Sequence, residues 1–384
     1  MKYSKISESL YIKGRIGWKG LKKKEYLQEG SYRIINGSNI VDNKIDWSNC
    51  GYISKERYDE SEEIKLKEGD ILITKDGTIG KVAMVNKLDK PSTVASGLFI
   101  LRNINLKKWD TLYLFYYLQS FKFKEFIHSR TSGSVIPHLY QRDFEELMIP
   151  ELSLKKQKQI SQKLHSIQQK IDLNNKINSN LLELTALLWK NKFSLYKETT
   201  TIESYGKIIS GGTPSKKKSE YYIDGTISWI TPKDLSNSDS LYIDRGALNI
   251  TDIGLNQSSA KLLKKGTILY SSRAPIGYIA IAARELSTNQ GFKSIQPYEQ
   301  KYTEFLYHLM KFVTPNIINS ASGSTFKEIS MVGMKAIKVP KVSEKDIESY
   351  HFIVKPLFDK IRLVEQENIK LKKLKNTLLV KLLN

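Results

Sequence analysis

Two stretches of this 384-residue chain carry the residue types that grip a polyanion. The first runs Gly14-Arg15-Ile16-Gly17-Trp18-Lys19-Gly20-Leu21-Lys22-Lys23-Lys24-Glu25-Tyr26. Its glycines let a backbone come close, Arg15, Lys19, Lys22, Lys23 and Lys24 can pair with phosphates, and Trp18 and Tyr26 can pack on sugar or base. The second, Ser210-Gly211-Gly212-Thr213-Pro214-Ser215-Lys216-Lys217-Lys218, is again glycine-rich and basic, and Thr213 and Ser215 add hydroxyls. Further candidates for nucleic-acid contact sit near turns: Lys75 before Asp76-Gly77, Arg130, Tyr140 and Arg142 around Ser132-Gly133-Ser134, and later Lys233, Arg273 and Lys327. Arginine is the better base reader, because its fork meets guanine O6 and N7. Lysine, the commoner cation here, is expected to hold position. Over the whole chain 61 Lys+Arg oppose 40 Asp+Glu, and the net charge of +21 favours polyanionic partners.

Covalent chemistry finds no comparable constellation. No phosphate-binding Gly-x-x-x-x-Gly-Lys-Ser/Thr loop occurs, and Gly14, Gly17 and Gly20 lack dinucleotide spacing. Glu63-Ile64-Lys65 lacks the preceding Pro-Asp of a metal-dependent nuclease, and no Asn/Asp-Pro-Pro-aromatic tetrad of an amino-methyltransferase is present. His128, His138, His165, His308 and His351 form no His-x-x-x-His pair, so packing or surface roles are expected. Cys50 is alone, which excludes an intramolecular disulfide and a cysteine metal site. The expectation is a chain with no catalytic residue, no metal and no cofactor of its own. The N-terminal residues lead into no apolar signal region, and the longest apolar run, Leu112 to Leu118, is too short to span a bilayer. A soluble, cytoplasmic protein is expected.

The elements that position these residues come twice. Gly69-Asp70-Ile71-Leu72-Ile73, ending in Thr78-Ile79-Gly80-Lys81-Val82-Ala83, recurs 197 positions on as Gly266-Thr267-Ile268-Leu269-Tyr270, ending in Pro275-Ile276-Gly277-Tyr278-Ile279-Ala280. Gly97 and Gly291 match at an offset of 194, the aromatic helices 114–118 and 305–309 at 191, and Ser132-Gly133-Ser134 and Ser322-Gly323-Ser324 at 190. From there the register holds to the end: Pro150 pairs with Pro340, and Leu188 with Leu378. Each copy opens with short β-like runs and glycine turns. Residues 69–73 and 81–85 read as strands joined at Asp76-Gly77.

Each copy then closes with a glycine-free helical stretch. Its apolar positions alternate by fours and threes: Ile160, Leu164, Ile167, Ile171, Leu181 and Leu188, then Tyr350, Val354, Leu357, Ile361, Val364, Leu371 and Leu378. That is a heptad seam, and coiled-coil pairing of the two helices is the direct inference; packing of each helix on its own domain is the alternative. Asn174, Asn178 and Thr185 interrupt the first seam, and Asn368 and Lys375 the second, which restricts register and partner. Pro356 is expected to kink the second helix or to mark its first turn. The fold class is α+β: two mixed α/β domains at 1–150 and 196–340, each followed by a long helix, at 151–195 and 341–384.

These residues resemble the specificity subunit of a type I restriction–modification system. The segment 17–26, Ser210 to Ser215 with Ile227-Ser228-Trp229-Ile230-Thr231, and Thr288-Asn289-Gln290-Gly291-Phe292 are similar to its target-recognition domains. Gln157-Lys158-Gln159-Ile160 is similar to its helix start, while the Pro-Pro-x-x-Glu-Gln lead is degraded to Pro150-Glu151-Leu152-Ser153. The resemblance implies that each domain reads one half of a split double-stranded DNA site. It also implies that the helices pair antiparallel as a ruler and dock two modification (methyltransferase) subunits, joined by restriction/translocase subunits. S-adenosylmethionine, ATP and Mg²⁺ would belong to those partners. A ~60 Å helix against ~3.4 Å per base pair caps half-site separation below roughly 18 base pairs. Rival readings are a specificity chain without a restriction motor, a coiled-coil scaffold or RNA-binding adaptor, and a stand-alone nuclease or methylase.

Overall fold

The computed structural model describes residues 3–16, 20–131, 138–273, 275–323 and 327–383. The chain divides into two units, the first made of residues up to Ile171 and from Leu371 onward, the second of Asp172–Lys370. Each long helix is therefore shared between a unit and its successor in the chain, rather than forming a domain of its own.

In the first unit a four-stranded antiparallel sheet has the order Leu10–Gly14, Leu98–Asn103, Ile71–Thr74, Val82–Met84. A three-stranded sheet, Gly51–Ile53, Tyr32–Ile35, Ser92–Val94, lies beside it, with the last pair parallel. The second unit repeats both. Gly206–Ser210, Lys293–Pro297, Ile268–Tyr270 and Ile279–Ala282 form the larger sheet, extended by Tyr242–Ile243. Leu248–Ile250, Ile227–Ile230 and Ser287–Thr288 form the smaller, again with one parallel pair. Each α/β region is closed by pairing its ends, Tyr3–Lys5 with Met148–Pro150 and Thr199–Thr201 with Lys338–Pro340.

The apolar runs at the centre of each sheet are buried on both faces, which is why they do not alternate with polar residues. Ile71 and Ile73 join a core with Tyr113 and Leu114 of the helix Thr111–Tyr117, whereas Leu72 faces Ile35 and Val94. Ile268 and Tyr270 likewise pack with Phe305 and Leu309 of the helix Thr303–Ser320, and Leu269 with Ile230 and Leu286. The expected turn at Asp76-Gly77 is present, with Gly77 at φ 65°.

The long helices run Leu154–Phe193 and Glu344–Leu383, 40 residues each. Inside the first unit the start of one lies against the end of the other: Lys375 Nζ donates to Gln168 Oε1 at 2.6 Å, and Ile160 and Leu164 share a core with Leu379 and Leu383. Inside the second unit the order is reversed, with Phe193 and Tyr350 ring centroids 5.3 Å apart and Tyr350 OH donating to Thr185 O at 3.0 Å. Pairing is thus antiparallel within each unit. The seam of Ile160, Leu164, Ile171, Val354, Ile361 and Val364 is buried, while Ile167, Leu181, Leu188, Leu357, Leu371 and Leu378 are half-buried. Trp189, Phe193 and Phe358, absent from the expected seam, are fully buried because these parts of the helices press on the α/β core as well as on each other. Pro356 is not in the first turn. It stands well inside an unbroken helix.

Candidate nucleic-acid interface

The sheet strands of both units end in loops held by the same backbone hydrogen bonds. In the first unit Lys75 N–H donates to Gly97 O (2.9 Å) and Leu139 N–H to Lys75 O (3.0 Å). In the second, Ser272 N–H donates to Gly291 O (2.8 Å) and Ile329 N–H to Ser272 O (3.0 Å). The turn between them is duplicated too. Thr74 Oγ1 donates to Thr78 O and accepts from Lys81 N–H; Ser271 Oγ donates to Pro275 O and accepts from Tyr278 N–H. Gly80 and Gly277 end these turns at φ 87° and 101°. At these φ values an L side chain is strained, and an added Cβ would also lie 2.6 Å from Ile127 Cδ1 in one case and 2.8 Å from Thr314 Cγ2 in the other, so glycine is favoured. These bonds make positions 75, 76, 138 and 139 equivalent to 272, 273, 328 and 329.

Around this frame the second glycine-rich segment packs closely. Gly211 N–H donates to Phe292 O (3.1 Å), Gly212 N–H to Thr288 O (2.9 Å), and Trp229 Nε1 to Gly212 O (3.0 Å). A Cβ on Gly211 would fall 1.9 Å from Asn289 O, and one on Gly212 2.3 Å from the Ser259 carbonyl carbon. Gly291 in turn packs on Pro232, whose helix carries Lys233. Segments far apart in sequence thereby form one rim with Arg273.

The side chains displayed on the two rims differ. In the first unit His138 Nδ1 pairs with Asp76 Oδ1, its ring lies 4.5 Å from Tyr140, and Arg142 stacks over Tyr140 at 5.1 Å. Lys75 lies over the Phe99 ring at 4.8 Å, and burial pulls its pKa down. In the second unit a lysine occupies the position of Phe99. The Nζ of this buried Lys293 donates to Ser272 Oγ and Glu328 Oε1, both at 3.2 Å.

The chain meets the profile described as type I restriction modification DNA specificity domain twice, over residues 12–183 and 196–373. It belongs to that family. A type I restriction enzyme specificity subunit (MjaIX) of Methanocaldococcus jannaschii is 39% identical over 175 residues, which are 45% of this chain and 40% of that relative. A putative type I specificity subunit (MjaX) of the same organism is 25% identical over 94% of this chain and 88% of its own length. The crystal structure of a type I S subunit from M. genitalium shares the fold, with a TM-score of 0.59 at 20% identity, covering 100% of this chain and 96% of that one. The expectation of a non-catalytic specificity subunit agrees with these relatives. Among the described residues no group of His, Cys, Asp and Glu could hold a metal ion, and no helix is long and apolar enough to cross a membrane.

For a specificity-domain chain, the expected DNA contacts fall into three groups. On or beside the rims lie Lys75, Tyr140, Arg142, Thr213, Lys233, Arg273 and Lys327, and Lys22, Lys23, Lys24, Ser215, Lys216 and Lys217 are exposed. Several others are already engaged. Arg130 pairs with Glu146 at 2.5 Å, Lys218 donates to Tyr221 OH at 2.9 Å, and half-buried Tyr26 donates to Asn36 at 3.3 Å. Arg15 is a correction: it is 2% exposed, and its Nε donates to Val94 O at 3.0 Å, so it ties two strands together instead of meeting phosphate. Trp18, Lys19 and Ser132-Gly133-Ser134 lie outside the described residues. Asp76, His138, Lys293 and Glu328 were not among the candidates; only the aligned register of the two copies, read residue by residue, could have singled them out.

Proposed function

We propose that each unit reads one half of a split duplex DNA site, with the rim around residues 75–76 and 272–273 presented to the bases. The observation that carries this reading is one backbone frame bearing two different sets of polar side chains. A frame kept while its displayed groups change suits two half-sites of unlike sequence. The exposed lysines around the rims supply phosphate contacts that hold register.

The paired helices, ~60 Å long, set the distance between half-sites and dock two methyltransferase subunits, with restriction/translocase subunits joining them in the cytoplasm. S-adenosylmethionine, ATP and Mg²⁺ act in those partners. The test is a genome-wide map of methylated bases with and without this gene. Loss of a single bipartite motif supports the reading. An unchanged methylation map refutes it, and retained binding to scrambled duplex or RNA would favour an adaptor.

A further inference from the structure

One position of the duplicated frame carries opposite hydrogen-bonding chemistry in its two copies. The residue after Lys75 is Asp76, and the residue after Ser272 is Arg273; the matched bonds of 75 and 272 leave no room for a gap between them. Asp76 keeps 46% of its side chain exposed. His138 Nδ1 holds its Oδ1, and no described residue donates to its Oδ2. A carboxylate held this way by an imidazole is an oriented acceptor.

The supporting residue is inverted as well. Glu328 stands where His138 stands, but its carboxylate is taken by Lys293 Nζ at 3.2 Å. It is therefore not left to bind Arg273, and no described residue accepts from the Arg273 guanidinium. One hydrogen-bonded pair in each copy thus leaves a single group at the same place: an acceptor oriented by His138 in one, and in the other a donor fork whose neighbouring carboxylate is already taken by Lys293.

In the major groove an acidic side chain accepts from an exocyclic amino group, whereas arginine forks to guanine O6 and N7. We propose that the position shared by Asp76 and Arg273 reads one base in each half-site with opposite polarity: cytosine or adenine, through its amino group, at Asp76, and guanine at Arg273. This rests on the reading of the two units as half-site readers, and it names the position and the base chemistry.

The test uses the full chain with its modification subunits and maps methylated bases. Asp76→Ala should relax one C or A position in one half of the motif, and Arg273→Ala one G in the other half. Discrimination at that base should fall roughly 10- to 100-fold, with every other position kept. An unchanged motif, relaxation in the same half for both variants, or relaxation at a base of the wrong class would overturn the assignment. If a variant abolishes methylation, Asp76→Asn and Arg273→Lys complexes are titrated with duplexes substituted one base at a time. Loss of discrimination at a single base supports the assignment, and full discrimination overturns it. A wild-type chain that imposes no motif removes the half-site reading itself, an outcome visible before any variant is made.

Discussion

Asn174 and Asn368 meet inside the helix seam, Nδ2 of Asn174 donating to Oδ1 of Asn368 across 2.9 Å. Asn368 passes the chain of bonds on, donating to Asn175 Oδ1 at 2.8 Å. Both amides are buried, at 1% and 6% exposure, so register shifts that separate them leave polar groups without partners. Asn368→Ala should cost about 1–3 kcal/mol, read as a lower urea midpoint. Replacing both by Leu should keep or raise the midpoint while light scattering detects new oligomers, because the register restriction is gone.

One buried and one half-buried group give stability slopes of opposite sign with pH. Burial beside Thr185 pushes His308 down to about 3, from an ordinary value of 6.5. Its folded pKa is depressed, so its contribution is fully present above pH 6.5 and is lost as pH falls from there toward 3. Burial raises Glu365 from 4.5 to about 7, although Leu241 and Tyr242 N–H groups donate to its carboxylate. That contribution is fully present below pH 4.5 and is lost as pH rises through 7. Urea midpoints across pH 4 to 8 should therefore rise less steeply between acid and neutral for His308→Asn, and Glu365→Gln should gain on wild type at the alkaline end.

The helix ends are cores in their own right. Trp189 is 2% exposed and packs on Phe193 and Phe305, at ring distances of 5.7 and 6.0 Å. Trp189→Ala should cost roughly 3–5 kcal/mol. Leu187, two residues away and 51% exposed, should tolerate Ala within about 0.5 kcal/mol. Chemical denaturation of both variants checks the contrast.

That contrast marks how far the sequence could be read. The duplication, the strand–turn–strand at Asp76-Gly77 and the helix seam were legible because each repeats a local period or a register. Trp189 and Phe358 were not, since their burial depends on the α/β core pressing against the helices, which no helical period reports. Arg15 was misassigned for the same reason: its residue type predicts phosphate contact, but its strand-end position buries it against Val94. His138 looked like a lone packing residue, and its partner Asp76 lies 62 positions away, joined only by the fold.

Lys216 is exposed and forms none of the rim bonds described above. In the assembled complex Lys216→Ala should weaken binding to every duplex alike and lower the slope of log affinity against log salt by about 1. Fluorescence anisotropy at several salt concentrations, on specific and scrambled duplexes, measures this. A loss confined to the specific duplex would make Lys216 a base reader.

The central claim is that each copy carries its own half of the specificity on a common frame. A chimera tests it most directly: residues 3–150 replaced by residues 199–340, cut at the paired end strands Tyr3–Lys5 with Met148–Pro150 and Thr199–Thr201 with Lys338–Pro340. With a chimera that melts like the parent, the methylated motif should keep one half and show that same half again in place of the other. A motif that retains both original halves, or in which the retained copy no longer specifies its own half, would contradict the account.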